Sequence, residues 1–154
     1  MKSSSNQVAL KSLVVLLCAA LFSFSPNRGG DSFEIVLNGK RVLQQFVYAS
    51  KSVQTIQLVQ TSDSDKLDVY YSHCGQVGKN RYLTVRNEKD QPIKVWKFAD
   101  AIDKGGVMSV KLKDVLSLRK NKTEKLNLFY SSSELPSGRT LATIAGEETG
   151  IARK

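Results

Sequence analysis

The chain has 154 residues, with 23 Lys and Arg against 14 Asp and Glu, a formal charge of +9 and only two cysteines. That length suits one domain with one core. If the N-terminal segment is removed on export, Cys18 goes with it and Cys74 is left alone, which excludes an intrachain disulfide.

Residues 1–25 have the parts of a secretory signal peptide. Lys2 and Lys11 form a positive start with no acidic residue before Asp31, and residues 12–25 (SLVVLLCAALFSFS) form a short apolar run. A membrane-spanning helix needs about 20 apolar residues, so the run reads as a cleaved leader, and the mature chain is expected to carry no transmembrane helix. Ser23 and Ser25 offer small residues for cleavage, with Pro26 an awkward neighbour. Cys18 follows Leu16 and Leu17 inside the apolar run, which argues against lipoprotein anchoring. The expected organisation is a signal peptide at 1–25, a single domain at 26–145 and a flexible polar tail at 146–154, in a protein that is periplasmic or secreted.

Beyond the leader the signals are those of strands. Residues 33–37 alternate, and Asn38-Gly39 marks a tight hairpin because both residues tolerate positive φ. Residues 41–48 return. Residues 53–59 (VQTIQLV) alternate with Val53, Ile56 or Leu58 inward and glutamines outward. Leu67, Val69 and Tyr71 share one face, as do Leu83 and Val85. A polar turn at 87–91 leads to a returning strand at 93–98, with Ile93 and Val95 expected in the core. Strands follow at 107–112, 126–130 and 139–145, and residues 113–120 fit one or two helical turns. About nine strands at short intervals predict an all-β, two-sheet antiparallel β-sandwich, with a barrel as the alternative.

The chain also resembles itself. Residues 66–72 (KLDVYYS) align with 125–131 (KLNLFYS), which sets Tyr71 against Tyr130 and His73 against Ser132. Two related β units, each too small to bury its apolar face alone, are expected to pack together.

Candidate chemistry is sparse. His73-Cys74 is a candidate thiol or metal site, because the aligned positions carry serines and the fold therefore does not require these residues. Adjacent strand residues point to opposite faces, however, so a buried cysteine beside a surface histidine is the plainer reading. Cys74 is also a candidate for an intermolecular disulfide. In the 81–98 hairpin, Tyr82, Thr84 and Arg86 beside Lys94, Trp96 and Phe98 would make an aromatic-basic face suited to a sugar ring or an anionic glycan. The candidate binding residues are Tyr82, Arg86, Lys94 and Trp96; burial of both faces of the hairpin is the competing expectation. The carboxylate pairs Asp63/Asp65 and Asp100/Asp103 lack the oxygen count of a calcium loop and read as surface loop residues. The serines at 131–133 have no histidine partner in sequence and suggest a turn. No motif implies a cofactor, and none implies sequence-specific nucleic-acid binding. The basic balance suits a polyanionic partner, though ordinary solubility is the plainer reading, since the one dense cationic run is Arg119-Lys120-Asn121-Lys122.

The stretch at residues 70–98 (YYSHCGQVGKNRYLTVRNEKDQPIKVWKF), with the leader, resembles small exported β-sandwich proteins of uncharacterised families in Bacteroidota-type bacteria. The resemblance implies a bacterial periplasmic or secreted setting and carries over no active residues. The resulting expectation is a non-catalytic binding or envelope accessory domain whose partner is a glycan, a polyanionic envelope component or another envelope protein. Its alternatives are an assembly role through edge strands or Cys74, and a thiol- or metal-dependent activity at His73-Cys74.

Overall fold

Asn38 and Gly39 adopt φ of 50° and 80° and close a two-residue turn between β1 (Ser32–Leu37) and β2 (Lys40–Phe46). The computed structural model describes residues 30–49, 52–103 and 106–146. The expected signal peptide, and the expected tail apart from Gly146, lie outside the described residues. After β2 come β3 (Gln54–Ile56), β4 (Lys66–Ser72), β5 (Arg81–Arg86), β6 (Pro92–Phe98) and β7 (Met108–Lys111). A short helix α1 (Leu112–Leu116), β8 (Leu126–Ser131) and β9 (Arg139–Ile144) complete the order.

Among the described residues nine strands form two sheets, ordered β2-β1-β4-β7 and β3-β9-β8-β5-β6. Every pairing is antiparallel except β3 with β9, which run parallel with Ile56 opposite Ile144. The expectation of a purely antiparallel architecture is corrected here. β3 is laid on the outer edge of β9, nearly ninety positions later in the chain, so no hairpin constrains its direction. It is also shorter than the 53–59 pattern suggested: Ile56 and Leu58 are buried, while Val53 and Val59 are exposed.

The alternating residues supply the core. Phe33 and Ile35, Leu67, Val69 and Tyr71, and Met108 and Val110 come from the first sheet. Leu83, Val85, Leu126, Leu128, Tyr130, Leu141 and Ile144 come from the second and belong to the same buried cluster. Tyr71 stacks on Tyr130 across the two sheets, ring centroids 4.3 Å apart. Helix α1 contributes Leu112 and Val115, three positions apart on one face. Each fully buried aliphatic side chain is worth about 1.5–3 kcal/mol, so this cluster dominates stability.

Asp65 is not a surface residue, contrary to the sequence reading. It is 4% exposed and accepts the backbone N–H groups of Thr61 (2.6 Å) and Ser62 (3.1 Å). Its carboxyl is held below the ordinary carboxylate range, chiefly by the Thr61 N–H. Asn38 Nδ2 donates to the same carboxylate, and Asn38 Oδ1 accepts from Lys66 N (both 2.9 Å), so the first hairpin is fastened to the start of β4.

The aligned segments take different roles. β8 and β9 pair directly, whereas β4 lies in the first sheet and β5 in the second.

Candidate functional site

The β5–β6 hairpin does not build the expected aromatic-basic face. Its register sets Leu83 opposite Trp96, Val85 opposite Lys94 and Tyr82 opposite Lys97. Directly paired residues share a face, so Trp96 and Lys94 lie on the side of the core residues Leu83 and Val85. Tyr82 lies on the other side with Val95 and Lys97. The expected core positions Ile93 and Val95 are exposed, at 39% and 52%. The cause is a register shift between Val85 and Arg86, beside the turn that Asn87 organises by accepting from Lys89 N and Gln91 N. One residue of slip moves a whole strand to the opposite face. Arg86 is engaged locally: its guanidinium lies 3.5 Å from the centroid of the Phe129 ring and bonds Asp90 at 2.9 Å.

β6 is an edge strand, and its Trp96 packs against the margin of the core cluster on the side of α1 and the turn after it. There Trp96 and Lys94 line a cavity of about 380 Å³ with Asp114, Ser117 and Leu118. Lys94 Nζ stands 6.0 Å from the Trp96 ring centroid. Ser117 also lines a second cavity of about 570 Å³, so the two adjoin. This larger cavity is lined by the apolar Leu58, Val59 and Leu116 together with Lys113, Arg119, Lys120 and Lys122.

Local bonding sets those cations in place. The helix unwinds through bonds from Ser117 N to Lys113 O, Leu118 N to Val115 O and Arg119 N to Leu116 O. The next turn is closed by Glu124 N on Asn121 O, and Asn121 Oδ1 accepts from Thr123 N and Thr123 Oγ1. Arg119 donates to the Ala145 carbonyl, which ties this turn to the end of β9. Lys113 pairs with Asp63 at 3.2 Å across solvent, a contact worth under about 1 kcal/mol and easily exchanged. The cationic run was legible in the sequence; its meeting with Lys113, Leu58 and Val59 was not.

His73 and Cys74 diverge, with burial opposite to the plainer sequence reading: His73 is buried at 4% exposure and Cys74 is exposed. His73 Nε2 lies 2.9 Å from the Tyr130 hydroxyl and 3.1 Å from Ser132 Oγ, and Nδ1 lies 3.6 Å from Asp31 Oδ2. Asp31 accepts from the Tyr71 hydroxyl at 2.9 Å. Ser132 therefore does have a histidine partner, supplied by the fold from 59 positions away. The contacts follow the order of an Asp-His-Ser triad. Yet Ser132 is 6% exposed and its hydroxyl accepts from Leu135 N, so it caps a turn beneath the surface instead of facing a substrate.

Burial pushes the hydroxyls of Tyr71 and Tyr130 to ionise well above their ordinary range, with Asp31 adding to the effect. At Glu134, which lies 4.0 Å from His73 Nε2, burial acts upward but is outweighed by the backbone N–H groups of Lys79 and Glu134 itself, leaving the carboxyl below its ordinary range.

Among the described residues, no three His, Cys, Asp or Glu side chains gather to hold a metal ion, and no helix is long and apolar enough to cross a membrane. The sequence matches no known family model and no curated protein sequence.

Proposed function

We propose that this chain is an exported, non-catalytic binding domain, a two-sheet sandwich built from two related units, that docks a polyanionic partner in the groove beside α1. One observation carries the reading: Lys113, Arg119, Lys120 and Lys122 line one cavity together with Leu58, Val59 and Leu116. Converging like charges around a concave, low-dielectric surface concentrate positive potential and attract anions. The formal charge, +9 for the whole chain and +7 once Lys2 and Lys11 leave with the leader, acts in the same direction at long range. The export signal and the resemblance at residues 70–98 support a bacterial periplasmic or secreted setting, where anionic envelope polymers are at hand.

Descent from two related units draws support from the core. The aligned pairs Tyr71/Tyr130 and His73/Ser132 are the same pairs that meet between the sheets.

The test is binding to polygalacturonate and to inorganic polyphosphate. The reading expects salt-sensitive binding that weakens by about tenfold or more in Lys120→Glu/Lys122→Glu. Binding insensitive to both salt and these substitutions would overturn it.

Cys74 and β6 favour a second reading, an assembly role. Cys74 is exposed, and β6 presents seven residues at a sheet edge with Ile93 and Val95 outward. A monomer whose mass and gel mobility ignore reductant would argue against it. Thiol chemistry at His73-Cys74 is the remaining alternative, and the opposite burial of the two side chains weighs against a cooperating pair.

A further inference from the structure

The Trp96 cavity differs in character from the cationic one that it adjoins. It holds one indole, a carboxylate (Asp114), a hydroxyl (Ser117) and an ammonium (Lys94). We infer that Trp96 and Asp114 form a sugar subsite next to the anion subsite, so that the partner is an acidic polysaccharide whose pyranose ring stacks on Trp96 while a neighbouring acidic substituent reaches Lys120 and Lys122. This inference rests on the polyanion reading and narrows it to a substrate class.

The chemistry is specific to sugars in three respects. A pyranose has an apolar face of C–H groups that packs on an aromatic ring, and Trp96 is half-buried at a cavity wall, not enclosed in the core. Its rim carries hydroxyls that each donate and accept. Asp114 accepts and Lys94 donates, while Ser117 Oγ already donates to the Asp114 carbonyl at 3.1 Å and keeps its lone pairs to accept, a set that matches neighbouring hydroxyls that neither a lipid chain nor a bare anion would present. Finally, Lys94 and Asp114 cancel in formal charge at this end of the groove, so it offers phosphate or sulfate no net attraction, and charge on the ligand sits at the far end. A nucleic acid carries a phosphate at every step and favours repeated aromatic platforms, whereas this groove has one aromatic, with a carboxylate beside it. The two volumes, about 380 and 570 Å³, fall within the size range of small-molecule sites.

Trp96 is the only tryptophan in the chain, so its emission reports on the subsite directly. The probes are a hexasaccharide of alternating uronate and N-acetylhexosamine, inorganic polyphosphate of similar charge, and single-stranded oligonucleotide of similar charge. The hexasaccharide is expected to change Trp96 emission. Trp96→Ala is expected to weaken hexasaccharide binding by about tenfold or more, with Trp96→Phe restoring most of it. Polyphosphate binding should survive Trp96→Ala and fall in Lys120→Glu/Lys122→Glu. The emission change on the wild-type chain keeps the test valid even if Trp96→Ala folds poorly.

If polyphosphate binding depends on the lysines while the hexasaccharide neither alters Trp96 emission nor loses affinity in the Trp96 variants, the sugar subsite fails and the polyanion reading stands. Lysine-independent binding of both probes would remove the parent reading as well. Trp96-dependent binding of the oligonucleotide tighter than that of the hexasaccharide would overturn the sugar assignment in favour of a nucleic acid.

Discussion

The Nε2 atom of His73 lies 2.9 Å from the hydroxyl of Tyr130, which fastens the end of the β4 strand to the end of β8 in the other sheet. Ser132 Oγ and Asp31 complete the ring's surroundings at 3.1 and 3.6 Å. His73→Phe keeps the ring but removes both nitrogens, leaving the hydroxyls of Tyr130 and Ser132 buried with fewer partners. An unsatisfied buried polar group costs about 1–3 kcal/mol, so a loss of about 2–4 kcal/mol is expected. Ser132→Ala should cost about 1–2 kcal/mol, since it deletes the hydroxyl's contacts with His73, Tyr130 and Glu134 and the acceptor for Leu135 N. Urea unfolding at pH 7 measures both. A His73→Phe loss under about 0.5 kcal/mol would show that the network does not hold the sheets together.

The same network sets the behaviour in alkali. Tyr71 and Tyr130 have an ordinary ionisation near 10.0, which the folded protein raises. The unfolded chain then loses protons above about pH 10 while the folded chain keeps them, so stability falls as pH climbs beyond that point. Asp65 and Glu134 act at the other end. Their carboxyls ionise below ordinary values of 3.8 and 4.5, so the stability they contribute is complete above those values and is lost as pH falls through the folded ones. Spectrophotometric titration of the wild type against Tyr71→Phe and Tyr130→Phe should show these two phenols ionising only as the protein unfolds. Ionisation of Tyr71 and Tyr130 near pH 10 in the folded protein would contradict the buried network.

The parts of this fold that were legible in sequence are those governed by local periodicity. Leu67, Val69 and Tyr71 alternate and are all buried, and Asn38-Gly39 turns where its tolerance of positive φ predicts. What escaped depends on single-residue irregularities or on distance. The shift at Val85/Arg86 turned Trp96 inward and Val95 outward, although the apolar pattern of 93–98 reads the same in either register. The parallel pairing of β3 and the partnership of His73 with Ser132 join positions so far apart that no local pattern encodes them. The groove lies between these cases. Its cationic run was visible in sequence, but Leu58 and Val59, which complete its lining beside Leu116, come from about 60 positions earlier in the chain.

The inverted register of β6 makes a direct prediction. Val85 and Val95 look equivalent in sequence, yet Val85 is fully buried and Val95 is 52% exposed. Val95→Lys should change stability by less than about 0.5 kcal/mol, as surface substitutions do. Val85→Lys would bury an unpaired charge and is expected to cost about 4 kcal/mol or prevent folding. Thermal denaturation of the pair distinguishes the registers. Large and equal losses would mean that Val95 faces the core after all.

Gly138 offers the sharpest steric test. Its φ is +63°, and a Cβ placed there would come within 2.1 Å of Phe129 Cζ and 2.8 Å of the Tyr130 carbonyl. The left-handed backbone alone costs an alanine about 1–2 kcal/mol. The Phe129 ring would also have to move, and it carries the Arg86 guanidinium 3.5 Å from its centroid. Gly138→Ala is therefore expected to cost about 2–4 kcal/mol, more than backbone strain accounts for. Phe129→Ala removes the obstructing ring, so the two substitutions should not add: in the Phe129→Ala background, Gly138→Ala should cost at least about 1 kcal/mol less than it does alone. Unfolding free energies of the wild type, the two single variants and the double variant complete the cycle. Strict additivity would locate the cost in the backbone and in the Tyr130 carbonyl, and would remove the Phe129 ring from the account.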